Sequence, residues 1–494
     1  MIRSERALPP RSRRLFAALA IGLTAASGTV AAQSAEGDGS TSQVVAANDP
    51  TTRSTPPPTR DFSADIAARK NYRVPALEIL GFSLLLNLVN RHVSGSDDYE
   101  SNLSTIKRNL RSSWGVDSDP FRINQLGHPY LGSMYHGFAR SSGLNFWESS
   151  AYTFAGSAAW EIAGEKTRPS GNDQVATGIG GAFLGEALFR MASLVLENKS
   201  TPSFWREAGA AAISPSTGFN RLAFGHRDGT IFSSRGAEYY SRLDLGYSRS
   251  AQNDAGLSTT PLKRNEAQAA FAIDYGLPGK PDYQYTRPFD HFSFQATASS
   301  ANTFENVLTR GSLFARSYEI GPRYRGVLGL YGSYDYIAPQ TFRVSSTALS
   351  LGTTGQWQAS DAITMQGTAL FGAGYAAVGT IRSTDERDYH YGVAPQGLLA
   401  FRVIYANKFS LDLTGREYFV SRIAAANRGG HENIARLDAS LTMRIKGPHA
   451  ISIRYLGNRR DASYPDIGSR KQTRATIGIF YTLLGHDHFG AVDW

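Results

Sequence analysis

From Glu238 onward, apolar and polar residues alternate in short blocks separated by turn residues. Between Ile434 and Ile445, the residues Leu437, Ala439, Leu441, Met443 and Ile445 share one face, and Arg436, Asp438, Ser440, Thr442 and Arg444 share the other. A period of two, aliphatic on one side and charged on the other, marks a strand between an apolar and a wet surrounding. The pattern resumes after Lys446-Gly447-Pro448 with Ile451, Ile453 and Tyr455, and again at Ala475, Ile477, Ile479, Tyr481 and Leu483. Twelve such segments begin near residues 238, 265, 290, 305, 322, 342, 361, 388, 407, 434, 449 and 472. Repeated blocks of about ten residues in an even number predict an antiparallel transmembrane β-barrel of about 12 strands. The polar stretches 250–263, 381–387, 421–433 and 462–471 read as long loops on one side, with mostly tight turns on the other. The stretch 277–289 is longer than that scheme wants.

The periodicity before the barrel is helical. Within 71–225 it predicts helices at about 74–91, 130–141, 147–165 and 172–196, with Pro169 closing the third and the following turn capping the fourth. Gly178, Gly180, Gly181 and Gly185 would let that last helix pack closely on a neighbour. The fold class is therefore membrane α+β: an N-terminal helical domain (71–225), a barrel (238–484) and a C-terminal tail (485–494).

The N-terminus supplies an address. Arg3, Arg6, Arg11, Arg13 and Arg14 precede the apolar run 15–26, and Val30-Ala31-Ala32 offers small residues for cleavage, so 1–32 reads as a signal peptide. Residues 33–70, rich in Ser, Thr, Ala and Pro, read as a disordered linker. The chain has no cysteine, which excludes disulfides, thiolate metal sites and a lipoprotein anchor. The formal charge of +9 falls to +5 once the five arginines and Glu5 of the signal segment are removed. The remaining basic residues are scattered, so no nucleic-acid partner is expected. The expected location is the outer membrane of a Gram-negative bacterium. The expected partners are outer-membrane lipid, a lipid or other envelope ligand, and the barrel-assembly machinery that inserts such chains.

The helical region carries an ordered set of blocks: Trp114-Gly115-Val116-Asp117, 124–132 (NQLGHPYLG), Tyr135, Ala139-Arg140, Phe146-Trp147-Glu148-Ser149, Trp160-Glu161, Glu165, Pro169-Ser170, Asn172-Asp173, Gly180-Gly181, Gly185-Glu186 and Gly218-Phe219-Asn220-Arg221. Over about residues 100–225 this resembles the bacterial family termed domain of unknown function 3943. The resemblance implies an exported, outer-membrane-associated protein with a C-terminal barrel, and it carries over no catalytic roles.

The candidate polar cluster of this region is His128, Tyr135, Arg140, Glu161, Glu165, Asp173 and Glu186. Glu161 and Glu165 share a helix face, while His128 precedes one helix and Asp173 opens another. Two carboxylates and an imidazole suffice for acid–base work or an oxygen- and nitrogen-ligated cation. The preferred reading is a structural network, with Arg140 and Arg168 as partners and Asp173 as a helix-terminal anion. Neither a cofactor nor a resident metal is expected. His291 and Ser293, two apart, resemble the His-x-Ser arrangement of the twelve-stranded outer-membrane phospholipase. Phe294-Gln295 stands where that pattern has Asn-Gly, and alternation would turn Phe292 and Phe294 to lipid and His291 and Ser293 to the lumen. His486-Asp487-His488 reads as a polar, mobile tail.

The functional expectation is a structural or transport role, with the helices as a lumen plug or a periplasmic domain. The alternatives are a lipid- or ligand-binding protein, or an enzyme on envelope lipid or glycan.

Overall fold

The computed structural model describes residues 70–494 apart from 94–96, 118, 198–202, 225–230, 256–257, 340–341, 380–384 and 422–429. The expected signal peptide and nearly all of the expected linker lie outside the described residues. The strands are β1 (Tyr239–Ala255), β2 (Ser258–Tyr275), β3 (Phe292–Ser299), β4 (Asn306–Glu319), β5 (Tyr324–Ile337), β6 (Arg343–Ser360), β7 (Ile363–Gly379), β8 (Tyr389–Tyr405), β9 (Phe409–Val420), β10 (His431–Lys446), β11 (His449–Tyr464) and β12 (Gly468–Leu484). Each pairs antiparallel with its chain neighbours, and β1 pairs with β12, so the sheet closes into a 12-stranded barrel. Closure leaves no free edge.

Two of the expected long loops are strand instead. Ladder pairs run on to Ala255↔Lys471 between β1 and β12, and to Tyr464↔Gly468 between β11 and β12. The polar residues there extend the ladder, because a paired strand needs an apolar face only where it meets lipid or core.

The direction of the side chains follows from bonds between strands that are not neighbours. Tyr418 on β9 donates to Asp335 on β5 at 2.8 Å, and Arg402 on β8 pairs with Asp274 on β2 at 3.2 Å. Such bonds cross the lumen. Asp335 thus points inward, and its neighbours Tyr334 and Tyr336 point outward. The lumen is crowded with charge: Arg402–Asp412, Arg454–Asp438, Arg310–Asp335 and the fully buried Arg460–Glu432.

The tail is not a mobile polar stretch. Phe489 and Val492 pack with Tyr240, Leu277, Ile404 and Leu484. Gln356 donates to Val492 O and accepts from Val492 N, and Gln366 donates to Gly490 O. Apolar side chains and an unpaired backbone both find partners in the barrel mouth, which is where the tail lodges.

The helices are α1 (Arg73–Val93), α2 (Leu103–Asn109), α3 (His128–Ser141), α4 (Phe146–Ala159), α5 (Gly171–Val175), α6 (Gly181–Leu196), α7 (Phe204–Ile213) and α8 (Pro215–Phe224). Asn145 caps α4, and Glu148 returns the bond to the Asn145 amide. The bundle is tight where Gly132 on α3 faces Gly181 on α6: a Cβ on Gly181 would come within 2.6 Å of the Gly132 Cα. Only glycine admits that approach.

The bundle lies against the outer face of the barrel and not in the lumen, so of the two expected placements the plug is not the one found. The Phe183 ring of α6 occupies the space that a Cβ on the outward-facing Gly332 would fill. Tyr334 donates to Gln125 O, and Trp147 stacks on Phe314 at 5.5 Å. Leu184, Leu188 and Met191 share one core with Ile273, Phe292, Phe294 and Val307 of the wall. Phe292 and Phe294 do face outward, but helices rather than lipid cover them. The long connection 276–291 belongs to this seam too, since Tyr283, Tyr285 and Phe289 join the same core.

The far side of α1 has no partner among the described residues. Leu77, Leu80, Leu84, Leu85 and Leu88 are each more than half exposed. An apolar stripe of that size is a contact surface.

Candidate functional site

Three π turns meet at one place. Ile123–Gly127 leads into α3, Trp160–Gly164 continues α4, and Ala176–Gly180 joins α5 to α6. A π turn inserts an extra residue and redirects the side chains beside it, and such turns recur at functional sites. His128 follows the first turn, Glu161 lies in the second, and Asp173 and Thr177 flank or enter the third. One ligand-type atom from each of His128, Glu161 and Asp173 lies within 4.8 Å of the others, and all three residues are buried.

Each is held from behind. His128 Nδ1 is 3.0 Å from Thr177 Oγ1, which leaves Nε2 as the ring nitrogen open to a ligand. Glu161 Oε2 accepts from the Ser170 amide at 2.9 Å, whereas Oε1 is buried without a partner. Asp173 accepts from Asn172 Nδ2 at 3.0 Å. Asn172 also bonds the Tyr391 hydroxyl at 2.7 Å, so the cluster is tied to an outward-facing residue of β8. Gln125 and Asn124 reach the same two tyrosines, Tyr391 and Tyr389.

The charge is unbalanced. Burial pushes Glu161 up to about 10, and the charges of Glu165 and Asp173 push it the same way. Burial raises Glu165 to about 7, against the opposing pull of His128 and of the Trp160 indole that donates to it at 2.9 Å. Both carboxyls hold protons more tightly than an exposed one, chiefly because they are buried.

The other members of the expected cluster lie elsewhere. Arg140 follows His128 by twelve residues on α3, about 18 Å along the helix axis at 1.5 Å per residue. There it pairs with Glu186 at 2.7 Å, and Glu186 also meets Arg190 at 2.8 Å and His136 at 3.1 Å. Arg190 continues to Asp290 of the 276–291 connection at 3.1 Å. Arg287 also meets Asp290 at 3.0 Å, so this second cluster sets two carboxylates among three guanidiniums, and it joins the bundle to the barrel. Tyr135 belongs to neither, since it bonds Ser83 and packs with Ile79, Phe138 and Trp160. Arg168, expected as a carboxylate partner, donates to the carbonyls of Ser113 and Trp114 instead.

Sequence reasoning passed over His136, Thr177, Asn124 and Tyr391. The spacing of four between His136 and Arg140, matched by Glu186 and Arg190, was the signal for the ion-paired cluster. Nothing in the strand pattern distinguishes Tyr391. His291 is buried with Nδ1 on Gly276 O at 3.2 Å, and Ser293 lines a lumen cavity of 170 Å³, so the two share a lining without forming a dyad.

These features define an outer-membrane β-barrel protein whose helical domain is docked on the outer wall and carries a buried His/Glu/Asp cluster. Residues 113–216, which hold that cluster, match the family described as domain of unknown function (DUF3943), in agreement with the resemblance read from the sequence. No curated protein matches the chain. Among solved structures, a NanC porin covers 48% of this chain and 98% of its own at 7% identity and a TM-score of 0.26. The outer-membrane channel DcaP of Acinetobacter baumannii covers 51% and 99% at 10% identity and a TM-score of 0.22. An anion-selective porin from Comamonas acidovorans covers 50% and 99% at 8% identity and a TM-score of 0.20. Likeness at this level brings no function with it.

Proposed function

We propose that the protein handles lipid within the outer membrane, with the helical domain immersed in the bilayer beside the barrel and the His128/Glu161/Asp173 cluster acting on a lipid headgroup. The observation that carries this reading is the docking of the helices on outward-facing wall residues. An outer-membrane barrel turns that face to lipid, so a domain on it shares the bilayer. Two features support the placement. The α1 stripe of exposed leucines would be solvated by acyl chains, and its 21 residues span about 31 Å, near the bilayer's apolar thickness of about 30 Å. The run Gly171–Leu196 is of similar length and apolarity, but it is buried between α3 and the barrel wall, so contact with lipid falls to α1.

Both barrel termini, the tail and the start of α1 near Ser142 lie toward one end. With a chain exported into the periplasm and inserted by the barrel-assembly machinery, that end faces the periplasm. The cluster, beside Tyr389 and Tyr391 at the other end of β8, then sits at the outer leaflet. There the imidazole and carboxylates would polarise a headgroup bond or move a proton from an attacking hydroxyl.

The crowded, tail-filled lumen favours this over an open channel, so transport is the competing outcome of the test. Purified protein is reconstituted into vesicles of outer-membrane lipid, and the lipid is profiled by mass spectrometry beside protein carrying Glu161→Gln. A lipid altered or selectively retained by the wild type alone supports the reading. Identical lipid profiles, with ion conductance in a planar bilayer, would overturn it in favour of transport.

A further inference from the structure

We infer that His128, Glu161 and Asp173 form a binding site for one divalent transition-metal cation. The inference deepens the lipid-handling reading, but its geometry is independent of what the substrate is. One imidazole nitrogen and two carboxylate oxygens come from three separate helical segments and converge within 4.8 Å. The cluster is more than a group of acids, because Glu161 Oε1 is a buried oxygen with no hydrogen-bond partner in a residue 2% exposed. Buried polar atoms are almost always satisfied, so an orphan beside an open imidazole nitrogen marks a missing partner. A cation fits that place, since the carboxylates around it are Asp173, Glu165 and Asp117 and no lysine or arginine among the described residues bonds Glu161, so a metal would displace the proton that burial otherwise keeps there.

The groups behind the three residues suit a metal site. The Thr177 hydroxyl at Nδ1 orients the imidazole, the Ser170 amide holds Glu161, and Asn172 holds Asp173. Partners of this kind fix the rotamers of ligating side chains. The donor set selects the class of ion. Calcium and magnesium prefer all-oxygen shells, and the chain has no thiolate to offer, whereas one imidazole with two carboxylates suits zinc, manganese or ferrous iron. Bonds of about 2.1 Å space adjacent ligand atoms by about 3 Å, so the three would draw together by an ångström or two on loading. Three protein ligands leave further positions for water or a headgroup oxygen, as in catalytic rather than structural sites.

The test uses the full protein in detergent, stripped with a chelator and titrated separately with zinc and manganese chloride. Metal is counted by mass spectrometry after gel filtration. The wild type should retain one equivalent, and His128→Gln and Glu161→Gln should bind at least tenfold more weakly. Asp119→Asn, a nearby carboxylate outside the set, should bind as the wild type does. Pulsed electron paramagnetic resonance of the manganese-loaded wild type should show nitrogen coupling from one imidazole, a readout that needs no variant to fold. Absence of retained metal, equal retention in the ligand variants, or manganese without nitrogen coupling would each overturn the site. A loaded site in protein that leaves lipid unchanged would keep the metal and remove the lipid chemistry.

Discussion

At the scale of single residues, the two buried glutamates of the helical domain make opposite predictions. Glu186 accepts from Arg140, Arg190 and His136 and is fully buried with them. Glu186→Gln removes the charge and leaves two buried guanidiniums short of a counter-ion, although Arg190 keeps Asp290. Breaking one partner from a buried ionic network costs about 3–5 kcal/mol, and the remaining Asp290 contact puts this variant at the lower end. Glu161 has no such partner. In chelator-treated protein, Glu161→Gln removes a group whose ionised form is disfavoured by burial and by neighbouring carboxylates, so stability should hold or rise by about 1 kcal/mol. Denaturant unfolding of both variants checks the contrast. A loss for Glu161→Gln equal to that for Glu186→Gln would make the cluster architectural, the role the sequence reading gave it.

At the scale of elements, the alternating strands were legible because a lipid-facing and a lumen-facing surface impose a period of two. The segment beginning near 449 starts at His449 in the structure. The segment placed near 265 starts at Ser258, since polar residues give no cue to where a ladder stops. Helix periodicity located α1, α3, α4 and the Gly171–Leu196 run, but not how they pack. The apolar positions of α6 look the same whether the partner is another helix or a barrel wall. The single candidate cluster of the sequence reading therefore divides between the two ends of α3. Exposure on α1 does separate two environments. A nitroxide at Leu84→Cys should be more accessible to oxygen, which concentrates in acyl chains, than to a water-soluble nickel complex. A nitroxide at Leu103→Cys on the short α2, where the side chain is 85% exposed against 67% at Leu84, is the exposed reference outside the stripe. A Leu84 label that met nickel freely would take α1 out of the bilayer and the lipid-handling proposal with it.

At the scale of the whole molecule, the barrel holds charge inside, a lodged tail at one mouth and a helical domain on its outer wall. The tail is what most directly bears on passage through the lumen. Its Phe489 is fully buried and Val492 is 5% exposed, and Gln356 and Gln366 bond its backbone. Behind it, Arg402 links Asp274 to Asp412 across the lumen, so ions meet both a seated segment and fixed charge. Replacing Phe489 and Val492 together by aspartate would place two carboxylates in an apolar seat, where each ionised group costs several kcal/mol unless it is paired. The tail should then leave the mouth while the closed strand ladder, which makes no use of it, stays intact. The full chain should accordingly be silent in a planar bilayer and the double variant should conduct, with heat-modifiable mobility confirming that the barrel is folded. Adding Arg402→Ala should raise the conductance further by removing the charge bridge. If the unaltered chain already conducts as well as the double variant, the tail does not close the lumen, and a transport role regains first place over lipid handling.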